Sequence, residues 1–272
     1  FQEMEVLKLK EISNIVLDAV EEASKEVMVI YNSDEFEAED KEDGSPVTLA
    51  DKVSHQILVS SLESIDNSIP VLSEEGDCFN YEVDLFWLID PLDGTKEFIN
   101  KNGEFTVNVA LVENGIPILG VVSAPAINET FIGFANEAYK VINKEHRKIT
   151  SRKQSTDHCL ITVSKSHKSE KDQLFIDLCH KEFGSIEELP TGSSLKLCRV
   201  AEGRADIYSR LGPTYQWDIA AGQAVAVAAG GVVSDLSGRP LRYEFKSSTK
   251  NPQFFCAGDN SFSWKDVFLK LV

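Results

Sequence analysis

Ile12, Ile15, Val16, Ala19, Ala23, Val27 and Ile30 recur at steps of three and four, a pattern that predicts one long amphipathic helix over about residues 5–31. The next stretch, SDEFEAEDKEDGSP (residues 33–46), is acidic and closes on turn residues, as expected of an exposed strand or loop. Thr48 then opens a second helix reaching about residue 65, with Asp51 at the S/T-x-x-D spacing of an N-cap. From there the period shortens. Residues 71–72, 85–89, 106–112, 118–123 and 130–135 are short β-rich runs, several of them separated by Gly or Asn turns. This half predicts an antiparallel sheet flanked by helices.

Residues 143–156 (NKEHRKITSRKQST) are polar and charged and mark a boundary or exposed crossover. Beyond them strand and helix patterns alternate as in βαβ units. Strands are expected at 159–163, 185–189 and 205–208, with helices at 168–183 and 193–202 between them. An alanine-rich helix at 217–229, strands at 232–233, 241–245 and 254–257, and a terminal helix complete the reading. The pattern divides the chain into an α+β half, residues 1–145, and an α/β half, residues 146–272.

Composition narrows the function classes. With 272 residues, 42% of them hydrophobic and 26% charged, the chain suits a globular enzyme with a sizeable core. Apolar runs such as AAGQAVAVAAGG are short and interrupted by glycine, and the N-terminus is polar, so neither a transmembrane segment nor a signal peptide is expected. The expected location is the cytoplasm, or the periphery of the inner membrane. Five scattered cysteines without C-x-x-C spacing point to reduced, structural thiols rather than a disulfide frame or zinc site. The excess of 44 Asp and Glu over 27 Lys and Arg argues against a nucleic acid polymer as partner, because phosphate contacts need a basic face. A small anionic substrate stays open, provided that metal ions, a few placed cations or backbone N–H groups supply local positive charge. Nothing in the pattern bears on the oligomeric state.

Against that acidity, WLIDPLDGTKEF (residues 87–98) ends an apolar run on two carboxylates three residues apart, Asp90 and Asp93, with Pro91 and Gly94 expected to stop the strand abruptly. Two anions held that close repel. Either one stays protonated or a cation neutralises them, and carboxylates with an intervening carbonyl are the hard oxygen ligands that Mg²⁺ prefers. Further acids stand beside strand ends or helix starts: Asp51 in TLAD, Glu74 and Glu75 in VLSEE, and Asp218 in QWDIAAG. Taken singly, Asp51 also reads as a capping residue, Glu74 and Glu75 as a solvated turn, and Asp218 as a helix cap. Their joint occurrence favours a metal site.

WLIDPLDGT and WDIAAG, in this order and preceded by the Glu-Glu pair, resemble the two signatures of the lithium-sensitive, magnesium-dependent phosphatases, the family of inositol monophosphatase and the 3'(2'),5'-bisphosphate nucleotidases. NGEFTVNVALV, GSSLK and RLGPT extend the similarity over nearly the whole chain, on the nucleotidase side of the family. The resemblance implies a layered αβαβα sandwich of the inositol monophosphatase and fructose-1,6-bisphosphatase type, with the site between two halves. It implies two or three Mg²⁺ ions held by Glu74, Asp90, Asp93, Asp218 and the Leu92 carbonyl. Asp51 and Thr95 would relay a proton from the attacking water, and Gly94 and Thr95 would offer backbone N–H groups to phosphate. Glu74, Leu92, Asp93, Gly94, Thr95 and Asp218 would then also meet the substrate. His167, Ser193, Lys196 and Arg210 match positions that contact the nucleotide and its second phosphate. On the residues alone, Ser193 also reads as a helix cap, and Lys196 and Arg210 as surface charges. The expected activity is hydrolysis of a small-molecule nucleotide bisphosphate. Its rivals are an inositol monophosphate phosphatase and a catalytically silent metal or phosphate-ester binding protein of the same fold.

Overall fold

The computed structural model of the chain describes residues 3–33, 38–40, 46–165, 169–247 and 249–271. Helix α1 (Glu3–Asn32) leads through β1 (Ala38–Asp40) and β2 (Pro46–Thr48) to α2 (Leu49–Ile65). There follow β3 (Val71–Ser73), β4 (Leu85–Asp93), the short α3 (Thr95–Ile99), β5 (Thr106–Glu113), β6 (Ile116–Ala124), β7 (Glu129–Phe134), β8 (Glu137–Ile142) and β9 (Glu145–Lys148). The second half holds β10 (His158–Ser164), α4 (Glu170–Phe183), β11 (Ser185–Thr191), α5 (Leu195–Ala201), β12 (Ile207–Arg210), α6 (Ala220–Ala228), β13 (Val232–Asp235), β14 (Phe254–Ala257) and α7 (Trp264–Phe268).

Strands β3 to β9 form a seven-stranded sheet in chain order, antiparallel except for the parallel pair β3–β4. A five-stranded mixed sheet runs β11-β10-β12-β14-β13. In β4 the side chains alternate between two covered faces. Trp87 and Ile89 pack with Val16, Val20, Leu58 and Leu62 of α1 and α2, whereas Phe86 and Leu88 join the cluster holding Leu197, Val200, Ala221 and Val225 of α5 and α6. Tyr208, Phe254 and Cys256 close that inner cluster from the second sheet, so the two halves share one core. The outer face of the second sheet, Ile161, Ile207 and Phe255, is covered by Phe175, Ile176, Trp264 and Phe268 of α4 and α7. The layers are therefore helix, sheet, helix, sheet, helix, which is the expected αβαβα sandwich. A Cβ on Gly120 of β6 would fall inside contact distance of the Ala221 carbonyl, so glycine there lets α6 lie directly on the sheet.

Three local expectations are corrected. Strand β4 does not stop at Pro91 but continues to Asp93. The polar stretch after residue 143 is not all crossover: Asn143 and Lys144, at φ of 50° and 66°, make a two-residue turn that returns the chain as β9, a fully exposed edge strand. Residues 241–245 form no strand, although Leu241, Tyr243 and Phe245 alternate inward. Their N–H groups go elsewhere, that of Tyr243 to the Gly115 carbonyl at 3.0 Å and that of Glu244 to the Gln216 side chain at 3.1 Å. Among the described residues no helix is long and apolar enough to cross a membrane, and all five cysteines are unbonded, with only Cys78 exposed.

Candidate metal centre

On a regular strand, residues three apart face opposite ways. In β4 the register slips between Asp90 and Asp93: Asp90 stands opposite Asn108 of β5 and Asp93 opposite Thr106, so three steps on one strand match two on the other. This bulge turns both carboxylates to the same face. It forms where Pro91 has no N–H to give the ladder, and it is pinned from α2, whose Ser54 hydroxyl donates to the Pro91 carbonyl at 2.8 Å. Asp218 reaches the pair from the other half of the chain, at the end of a short 3₁₀ turn (Gln216–Asp218), where its Oδ2 accepts the Tyr215 N–H at 2.9 Å. It thus caps its turn and joins the site as well. One oxygen each of Asp90, Asp93 and Asp218 lies within 4.8 Å of the others.

Burial pushes the Asp90 carboxyl well above the usual carboxylate range, and the charges of Glu74, Asp93, Asp218 and Asp51 push it further. Its Oδ1 accepts the Leu92 N–H at 3.1 Å, but its Oδ2 is buried with no hydrogen-bond partner. Burial likewise raises Asp93 to about 6, against the opposing pull of Lys196 and of the Ser194 N–H, with Glu97 and Glu74 adding to the rise. Asp218 is raised by burial, then by Asp93 and Glu74. An unpartnered, buried carboxylate oxygen facing two further carboxylates is costly in isolation and is satisfied by a hard cation, so the residues present fit the metal that the sequence implied.

Glu74 follows β3, whose parallel pairing sets Ser73 beside Ile89 and brings the Glu74 N–H to the Ile89 carbonyl at 3.3 Å, next to Asp90. It adjoins the cluster without belonging to its tight trio. Asp51 is buried in the first turn of α2. Leu92 is buried in the bulge. Gly94 follows directly, in the left-handed region at φ 86°, where an added Cβ would meet Ser193 Cβ and Glu97 Oε2 at 3.1 Å. Thr95 is the first residue of α3.

Beside the acids opens a cavity of about 140 Å³, lined by Asp93, Gly94 and Asp218 together with Ser193, Lys196 and Arg210. Lys196 is no surface charge: it is buried, its Nζ donates to the Ser193 carbonyl at 2.7 Å and lies 5.5 Å from the centre of the Tyr208 ring. Burial lowers its pKa to about 8, with Asp93 pulling the other way. Arg210 donates one bond to the Pro213 carbonyl at 3.2 Å, and its buried Nε has no partner. Ser193 does not cap α5; Ser194 occupies the N-cap, and Ser193, at φ 42°, donates to the Glu104 carbonyl at 2.9 Å. His167 lies outside the described residues. Glu97, Ser164, Tyr208 and Thr214 also line the cavity, and no spacing in the sequence singled them out. A much larger cavity, about 870 Å³, lies between α1 and the ends of β6 and β7 and contains none of these residues.

The chain is similar to known proteins over most of its length. The model of the inositol monophosphatase family matches residues 8–256. The 3'(2'),5'-bisphosphate nucleotidase CysQ of Escherichia coli K12 is 42% identical over 237 residues, which cover 85% of this chain and 94% of that protein. The Haemophilus influenzae CysQ is 34% identical over 261 residues, covering 94% and 96%. Among solved structures, CysQ from Bacteroides thetaiotaomicron superposes with a TM-score of 0.80 at 35% identity, covering 91% of this chain and 97% of that one. The Thermotoga maritima IMPase gives 0.72 at 26% identity, covering 93% and 95%. A bulged strand that delivers two acids, a third acid arriving from the opposite half, and a family match over most of the length converge: the chain belongs to the inositol monophosphatase family.

Proposed function

We propose that the chain is a Mg²⁺-dependent 3'(2'),5'-bisphosphate nucleotidase that hydrolyses the 3'-phosphate of adenosine 3',5'-bisphosphate to AMP and phosphate. One observation carries the choice of substrate: a single cavity is lined both by the carboxylates of Asp93 and Asp218 and by the cations of Lys196 and Arg210. A substrate with two phosphates suits such a site. One phosphate belongs at the metals, and the other needs its own positive charge in a chain of formal net charge -17. The CysQ relatives carry the corresponding activity in their name.

In this reading Glu74, Asp90, Asp93, Asp218 and the Leu92 carbonyl hold two or three Mg²⁺ ions. When bound, the ions lower the pKa of water and neutralise charge on the transferring phosphoryl group. Asp51 and Thr95 form the proton relay, the threonine hydroxyl accepting the proton of the attacking water while its own passes to the carboxylate. Gly94 and Thr95 offer N–H groups to phosphate oxygens where the glycine leaves no side chain in the way. Ser193, Lys196, Arg210 and His167 form the nucleotide wall. Residues 1–145 then supply most of the metal ligands, and residues 146–272 supply Asp218 and that wall.

The test is phosphate release from adenosine 3',5'-bisphosphate, inositol 1-phosphate and a simple monophosphate, each with Mg²⁺ and with EDTA. The expected result is Mg²⁺-dependent turnover favouring the bisphosphate. Preference for inositol 1-phosphate would move the assignment to the other branch of the family, and absence of turnover on every substrate would make the chain a binding protein.

A further inference from the structure

The Gly192-Ser193-Ser194 turn belongs to the second half of the chain, yet its donors reach into the first. Gly192 N–H and Ser193 Oγ donate to Glu104, at 2.6 and 2.9 Å, Ser194 N–H donates to Asp93 Oδ2 at 2.6 Å, and Ser194 Oγ donates to Asn108 Oδ1 at 2.7 Å. The last of these bonds is part of a closed ring. Asn108 Nδ2 donates to Thr106 Oγ1 at 3.0 Å; because the Ser194 hydroxyl hydrogen is spent on Asn108, the Thr106 hydroxyl is the donor toward Ser194 Oγ at 2.7 Å, with Ser193 Oγ a more distant second acceptor at 3.3 Å. All three side chains are buried. Thr106 and Asn108 are the residues that face Asp93 and Asp90 across the bulge, and neither lines the cavity.

The ring carries no charge, so it does not act on a cation directly. What it does is immobilise Ser194, whose N–H holds one oxygen of the Asp93 carboxylate. We infer that Thr106, Asn108 and the Ser194 hydroxyl are positioning residues which set the affinity of the acidic cluster for its metal by locking the Ser194 N–H onto Asp93 across the two halves. Partners that orient a ligand from behind raise affinity by sparing the ligand the loss of freedom that binding would otherwise demand. The inference rests on the reading of the cluster as a metal centre.

The test compares Thr106→Val, which removes the hydroxyl and keeps the shape, with Thr106→Ser, which keeps the hydroxyl. Metal-free protein is titrated with Mn²⁺ and free Mn²⁺ is followed by electron paramagnetic resonance, so that binding is read without turnover. Thermal unfolding in EDTA is recorded alongside, and kcat is measured at saturating Mg²⁺. Thr106→Val is expected to weaken Mn²⁺ binding roughly tenfold, to recover most of its kcat when Mg²⁺ is saturating, and to be rescued by Thr106→Ser. Ser194→Ala, which opens the same ring from the other half, should give the same loss and serves if Thr106→Val does not fold. Native Mn²⁺ affinity in the folded variants, with or without lower thermal stability, would overturn the inference, as would equal losses for Val and Ser. Absence of Mn²⁺ binding by the unaltered protein would instead bring down the metal centre itself.

Discussion

Asp90 and Asp93 share a face of one strand although their spacing alone would set them on opposite faces, because the bulge lets three residues of β4 span two of β5. The arrangement concentrates anions where burial already disfavours charge, and the metal-free protein carries that cost.

Asp90→Asn removes the acid whose Oδ2 is buried without a hydrogen-bond partner. The variant is expected to melt higher than the unaltered protein in EDTA at pH 8, because a buried charge no longer has to be accommodated, and to lose activity on the order of 10³-fold, as when one preorganised stabiliser of transition-state charge is removed. Melting curves in EDTA and phosphate-release rates check the two parts; a lower melting temperature with activity retained would refute both.

The same acids set a pH dependence. Folded-state values raised above the unfolded ones mean that the native protein binds more protons than the unfolded chain, so stability falls as pH rises. The window opens near the ordinary Asp value of 3.8 and passes through about 6 for Asp93, with Asp90 and Asp218 raised in the same direction. In EDTA the melting temperature should therefore drop between pH 5 and pH 8. Saturating Mg²⁺ should remove or reverse the drop, because the cation displaces those protons and binds more tightly as pH rises. A profile unaffected by Mg²⁺ would show that the cluster is not its site.

Thr95→Ala and Asp51→Asn are each expected to lower kcat about a hundredfold, with a smaller change in KM, as loss of general-base assistance does. If both serve one water, the double variant is little worse than the poorer single one. Losses that multiply would separate the two residues.

Arg210→Ala should cost about tenfold to a hundredfold in kcat/KM on adenosine 3',5'-bisphosphate, the worth of one charge-assisted contact, and almost nothing on a simple monophosphate. Lys196→Ala should behave differently. Lys196 is buried and its charge acts on the Asp93 carboxylate, so its loss removes a cation that repels Mg²⁺; it should lower the Mg²⁺ requirement with both substrates and add a selective loss on the bisphosphate. An unchanged Mg²⁺ requirement in Lys196→Ala would show that Lys196 acts only at the nucleotide wall.

How much of this was legible beforehand follows from what periodicity encodes. The three- and four-residue steps of α1 record the face it lays on the large sheet, and the apolar run entering β4 records burial on both faces. Each is a property of one segment, so the sequence by itself determined the longer helices, most strands, the order of an α+β half and an α/β half, and the presence of Asp90, Asp93 and Asp218 beside breaks in the pattern. Alternation at Leu241, Tyr243 and Phe245 was equally clear and yet produced no strand, since a ladder needs a neighbour whose N–H and C=O groups are available, and that is a property of two segments. The exposed β9 was hidden for the complementary reason, because an edge strand with no buried face leaves no apolar signal. Only the tertiary structure decided the bulge that turns Asp93 to the side of Asp90, the approach of Asp218 from 125 residues further along the chain, the burial of Lys196, and the ring of Thr106, Asn108 and Ser194. All of these depend on groups distant in sequence being brought within hydrogen-bonding or Coulombic range, a relation that short-range pattern does not carry.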